Sequence, residues 1–143
     1  MSLNRRKISS EAGFTLLELL VVLAILGLLA AIVAPQVLRY LGTSRSQAAK
    51  VQIENISASL DHFQLDVGRY PSPEEGLDAL VKPTASATNW NGPYLKKESA
   101  LTDPWGRKYH YTLPGKHGDV DVYSLGSDGA EGGSGEAKDV GNW

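Results

Sequence analysis

Residues 19–34 read LLVVLAILGLLAAIVA, sixteen uncharged residues closed by Pro35, and Phe14-Thr15-Leu16-Leu17-Glu18 extends the run to twenty-one. A helix of that length reaches roughly 30 Å, about the thickness of a hydrocarbon core. The segment can therefore cross a bilayer. A chain of 143 residues that commits this much to lipid retains enough for one compact head, not for two.

The basic start, Arg5-Arg6-Lys7, also fits an ordinary secretory signal, and Ala30, Ala31 and Ala34 supply small residues where such a signal would be cut. Glu18 argues against that reading. A carboxylate four residues into an apolar helix costs about 3 kcal/mol on insertion scales, so it needs a partner or a function unless it sits at headgroup level. Cleavage between Gly13 and Phe14 would create an α-amino group, positive near neutral pH. At i and i+4 that group and Glu18 share one helix face, and in an assembly each could instead meet its counterpart on a neighbour. Charge does not orient the span: Arg5, Arg6 and Lys7 before it are matched by Arg39, Arg45 and Lys50 after it.

The formal net charge of −2 argues against a nucleic-acid binder. Loss of Arg5, Arg6, Lys7 and Glu11 with the first thirteen residues would take it to −4. Cysteine is absent, which removes disulfide scaffolds, thiolate metal sites and cysteine nucleophiles. His62, His110 and His117 are scattered over different elements, and neither G-x-S-x-G nor H-E-x-x-H occurs, so a membrane-tethered hydrolase is the weakest reading.

Beyond Pro35, Ala49, Ile53, Ile56, Leu60, Phe63 and Val67 recur at steps of three and four, one apolar stripe on a helix. The spacing predicts a single helix over 14–67, kinked or loosened near Pro35 and Gly42, and stopped by Gly68. The stripe could be an intermolecular seam. Layer packing favours its being the face that carries the chain's own head. Ser72 and Glu75 form a capping box with Pro73 at the first helical position, predicting a second helix over 73–81. Residues 82–99 are a loop with Trp90 and Tyr94 as anchors. Asp103-Pro104-Trp105-Gly106 has turn chemistry, and strands are expected over 109–113 and 120–125. Two strands alone are marginal and need the helix beneath them.

From Gly126 the chain runs GSDGAEGGSGEAKDVGNW. Its composition would permit a flexible tail. Glycine turns with carboxylates also suit a hard cation, which takes six to eight oxygens including main-chain carbonyls, although no EF-hand pattern is present. On spacing alone the two readings stand level.

Gly13-Phe14-Thr15-Leu16-Leu17-Glu18 behind a short basic leader resembles the type III signal of type IV pilins and pseudopilins. The ordering of Tyr70-Pro71, Glu75-Gly76-Leu77, Asn89-Trp90, Gly92-Pro93-Tyr94-Leu95, Asp103-Pro104-Trp105-Gly106, Tyr123-Ser124-Leu125-Gly126 and Gly141-Asn142-Trp143 resembles the major pseudopilins of type II secretion, the general secretion pathway protein G family. Ordinary type IV pilins close their C-terminal region with a cysteine pair, which this chain cannot do.

The resemblance implies an α+β, type IV pilin-like fold: a long N-terminal helix packed on a small antiparallel sheet, with a C-terminal calcium-type loop. It implies a leader over 1–13, a membrane and filament-core helix over 14–34, and a head over 35–143 that includes the amphipathic helix 36–67. A prepilin peptidase would cut after Gly13 and methylate Phe14, and Glu18 would recruit subunits to a growing homopolymer. Minor pseudopilins and an inner-membrane assembly platform would be the other partners. The chain would cross the bacterial inner membrane once, with its head in the periplasm, and its filament would drive export of folded proteins rather than perform chemistry. An adhesion or motility pilin is the alternative. For calcium, the resemblance implies Asp128, Asp139 and the Leu125 carbonyl, with Glu136 or further carbonyls completing the shell.

Overall fold

The computed structural model describes residues 13–143, so the expected leader, apart from Gly13, lies outside the described residues. The described residues fall into two units that divide between Leu38 and Arg39. The second begins four residues beyond the head boundary expected at 35.

Helix α1 spans Leu16–Val67. Thr15 starts it, its Oγ1 accepting the Glu18 N–H at 3.1 Å and its carbonyl the Leu19 N–H. Thr15-Leu16-Leu17-Glu18 thus carries the spacing of a capping box, a signal the sequence reading passed over. Within the first unit, every large apolar side chain from Leu16 to Val33 is exposed. This is the one helix among the described residues long and apolar enough to cross a membrane. α1 runs continuously through Pro35 and Gly42, where a kink or loosening was expected. A proline inside a helix removes one N–H donor, and here the helical assignment survives that loss.

In the second unit the stripe is the core. Ala49, Ile53, Ile56, Leu60 and Phe63 are fully buried and share one cluster with Leu77, Leu80, Leu101, Tyr109, Val120 and Val122. Val67 packs partly buried against them, and the Gly68 N–H closes the helix on the Gln64 carbonyl at 2.8 Å. The head therefore packs on its own helix, as layer packing requires.

The second helix is not α-helical. The capping box forms as expected, with the Ser72 N–H donating to Glu75 Oε2 at 2.7 Å and the Glu75 N–H to Ser72 Oγ at 3.3 Å. It opens a turn followed by a 3-10 helix, Gly76–Leu80. The reason is Gly76, whose φ of +58° lies in the left-handed region that an α-helix cannot contain. Glu75 gains a larger role. Its side chain is only 8% exposed and accepts bonds from both Arg69 amino groups, from Thr84 at 2.7 Å and from Ser86. The Arg69 guanidinium holds its carboxyl far below the usual range, against the opposing effect of desolvation. One carboxylate thus ties the end of α1 to the start of the long loop.

Trp90 and Tyr94 anchor that loop. Trp90 Nε1 donates to the Ala79 carbonyl at 2.8 Å, and Tyr94 packs edge-on against both Phe63 and Trp90. The turn at Asp103 forms, with Asp103 Oδ1 accepting the Trp105 and Arg107 N–H groups at 3.0 and 2.9 Å. Its other oxygen accepts the Ser124 hydroxyl at 2.6 Å, which fixes the turn to the sheet.

Strands β1 (His110–Thr112) and β2 (Asp121–Ser124) are shorter than expected. They pair antiparallel with His110 opposite Tyr123. A third strand, β3 (Val140–Gly141), pairs antiparallel with β2, giving the order β1-β2-β3. Sequence reasoning missed it because two residues carry no alternation. Asn142 secures it, exchanging bonds with Val122 and donating its side chain to the Val120 carbonyl.

Candidate functional site: the C-terminal loop and the apolar helix

Between β2 and β3 the glycine-rich stretch is tied down on both sides. The Ser127 N–H donates to the Glu136 carbonyl at 3.0 Å, and the Asp139 N–H to the Gly132 carbonyl at 3.2 Å. Arg107 Nη2 donates to the Gly126 carbonyl. Lys50, on α1, donates to the Gly141 carbonyl at 2.6 Å. Each bond satisfies a main-chain group that a flexible tail would leave to water.

Leu125 and Asp139 come together on the wall of a cavity of about 460 Å³, which Glu131, Gly132, Tyr123 and His117 also line. Asp139 Oδ2 accepts the Gly132 N–H at 2.9 Å, while its Oδ1 is buried with no partner. An unpaired carboxylate oxygen taken out of water is costly. It fits a hard cation with oxygen ligands. Asp128 is not on that wall; its Oδ1 accepts the Ala130 N–H at 3.1 Å. Glu136 is engaged elsewhere, with Oε1 accepting from Arg45 at 3.1 Å and from Trp105 Nε1 at 2.9 Å. These donors hold its carboxyl below the ordinary value, the Trp105 bond most of all. Among the described residues no three histidine or carboxylate side chains converge as a ready-made metal cluster. Any cation here would depend on main-chain carbonyls.

Other groups in this cavity were not anticipated. Asp121 is buried and accepts the Lys116 N–H at 2.8 Å and His117 Nδ1 at 3.0 Å. Its carboxyl lies below the usual range because these donors outweigh desolvation. His117 stacks on Trp143 with ring centroids 3.9 Å apart. His117 lies between the two expected strands, and nothing local in the sequence linked it to the last residue.

At the other end, Phe14 and Glu18 sit exposed at the start of α1, with Gly13 immediately before them. A bare apolar helix whose second half is the spine of a small α+β head defines a pilin-like filament subunit. Residues 36–143 match the family described as type II secretion system (T2SS), protein G, and residues 8–34 match the prokaryotic N-terminal methylation motif. The chain is 50% identical over 137 residues to the type II secretion system core protein G of Pseudomonas aeruginosa, covering 93% of this chain and 95% of the relative. It is 43% identical to that of Vibrio cholerae, covering 96% and 95%. The crystal structure of the major pseudopilin from the type 2 secretion system of enterohaemorrhagic Escherichia coli matches with a TM-score of 0.58 at 32% identity, over 71% of this chain and 88% of that one. The chain belongs to the protein G family of the type II secretion system.

Proposed function

We propose that this chain is cut after Gly13, methylated at Phe14 and polymerised into a periplasmic pseudopilus that drives folded proteins through the outer membrane. That it is a pseudopilus subunit with a single membrane anchor follows from its family and its apolar helix. The observation that supports polymerisation most directly is the run of exposed apolar side chains over the first half of α1. Such a surface is stable in lipid or against like helices, not in water. Its partners would be copies of itself, minor pseudopilins, the inner-membrane platform and the prepilin peptidase. The role is mechanical, and no step of catalysis is assigned to it. Deletion of the gene should leave exoproteins in the periplasm while twitching motility is kept. Loss of twitching with normal secretion would place the chain among motility pilins instead.

Calcium is the proposed ligand of the C-terminal loop. The Asp139 carboxylate and the Leu125 carbonyl would hold it, with further loop oxygens; Asp128 would need to turn towards the cavity and Glu136 to leave its present donors. The ion would supply positive charge to otherwise unpaired oxygens and lock glycine-rich backbone in place. Calcium at a hundred times its Kd should raise the unfolding free energy of the full chain in detergent by about 2.7 kcal/mol. Asp139→Ala should abolish that gain. A wild-type melting curve unchanged by calcium or chelator would dismiss the ion.

A further inference from the structure

Glu136 is positioned as a link and not as a ligand. Its main chain belongs to the loop, where its carbonyl receives the Ser127 N–H, two residues from Leu125. Its side chain leaves the loop for α1, where Oε1 receives Arg45 Nη1 and Trp105 Nε1. Gly42, buried on α1, makes that approach possible: a Cβ there would lie 3.1 Å from Glu136 Oε2 and 3.2 Å from its Cβ. The Glu136 side chain therefore fills the place where any other residue at 42 would carry its own.

An ion pair this exposed, with Arg45 53% and Glu136 33% accessible, contributes little by itself. The indole donor and the close fit over Gly42 turn it into a three-point attachment. Trp105 is in turn held by Asp103, whose second oxygen binds Ser124 at the end of β2. The loop, the Asp103 turn and the first turns of α1 in the head thus meet at one carboxylate.

We infer that Glu136 is a positioning residue that transmits the order of the C-terminal loop to residues 39–46 of α1, so that calcium in the loop stiffens the helix where it enters the head. This rests on the calcium reading above and adds its mechanical consequence. It also gives Glu136 a reason to stay on Arg45 and Trp105 when the loop is loaded.

Hydrogen exchange of the full chain in detergent, with calcium and with chelator, tests it. In the wild type, calcium should slow exchange both over 126–139 and over 39–46, the latter about tenfold, the factor equivalent to one charge-assisted hydrogen bond. In Glu136→Ala the loop should still respond and residues 39–46 should not. Trp105→Phe, which keeps the ring and loses the donor, should weaken the helix response while sparing the loop's. An equal helix response in wild type and Glu136→Ala overturns the link and leaves the calcium reading standing. No loop response in the wild type overturns the calcium reading and the link with it.

Discussion

Glu18→Ala should yield a chain that is inserted, cut after Gly13 and folded in its head, yet absent from filaments. The first half of α1 exposes every large apolar side chain, and Glu18 is the one charge among them. In lipid that carboxylate carries a penalty of about 3 kcal/mol, which is relieved when it meets a cation. The α-amino group of a mature Phe14, on its own chain or on a neighbour, is the cation this sequence would provide. If the relief is realised on joining the filament, removing the carboxylate lowers the addition constant by a factor on the order of a hundred.

The structure supplies a competing role. Glu18 stands in the first turn of α1, where the helix dipole favours an anion, and Thr15 caps its N–H. A dipole contribution is worth about 0.3–1 kcal/mol, too little to stop assembly. Glu18→Gln and Glu18→Asp separate the two: an intersubunit charge pair requires that Gln fail and Asp recover in part, whereas a helix-start role lets Gln pass. Sheared filaments, quantified by immunoblot and electron microscopy, give the readout. Normal filaments from Glu18→Ala would end the recruiting role.

What could be read in advance follows from how local each signal was. The stripe from Ala49 to Val67 was legible because helical period and burial are the same fact, and each of its residues faces the core. The Asp103 turn and the capping box at Ser72 were legible because their donors and acceptors lie within four residues of one another. The failures were of two kinds. A single backbone angle at Gly76 changed a helix into a turn with a 3-10 segment, and composition does not reveal which glycine will be left-handed. Long-range pairing decided the rest. Glu136, expected among the calcium ligands, has its carboxylate on Arg45, ninety-one positions away, and on Trp105. Strand β3 exists because Asn142 and Lys50 hold two otherwise featureless residues in register. The candidate loop was thus legible as a region, and Leu125 and Asp139 share one cavity wall. The unpaired oxygen of Asp139 and the place of Glu131 on the cavity wall emerge only in three dimensions.

Phe63→Ala should remove a large part of the head's stability. Phe63 is fully buried and meets Tyr94 edge-on at 5.6 Å; Tyr94 meets Trp90 at the same distance, and Trp90 is bonded to the Ala79 carbonyl. Truncating a buried phenylalanine costs about 3–5 kcal/mol when the site cannot collapse. Here collapse is opposed, because Tyr94 is also held by its hydroxyl on Asp66 at 2.8 Å. The loss is a large fraction of a small domain's stability, about 5–15 kcal/mol. Two positions on, Leu65 is 80% exposed, and Leu65→Ala should change stability by less than about 0.5 kcal/mol. Urea unfolding of the full chain in detergent, followed by tryptophan fluorescence, measures both. Equal costs at 63 and 65 would mean that the stripe is not what carries the head. Unequal costs, set beside the Glu18 series, would show that head folding and filament entry are governed by separate stretches of one helix. Phe63→Ala would then lose the head before any filament could form, and Glu18→Ala would lose the filament with the head intact.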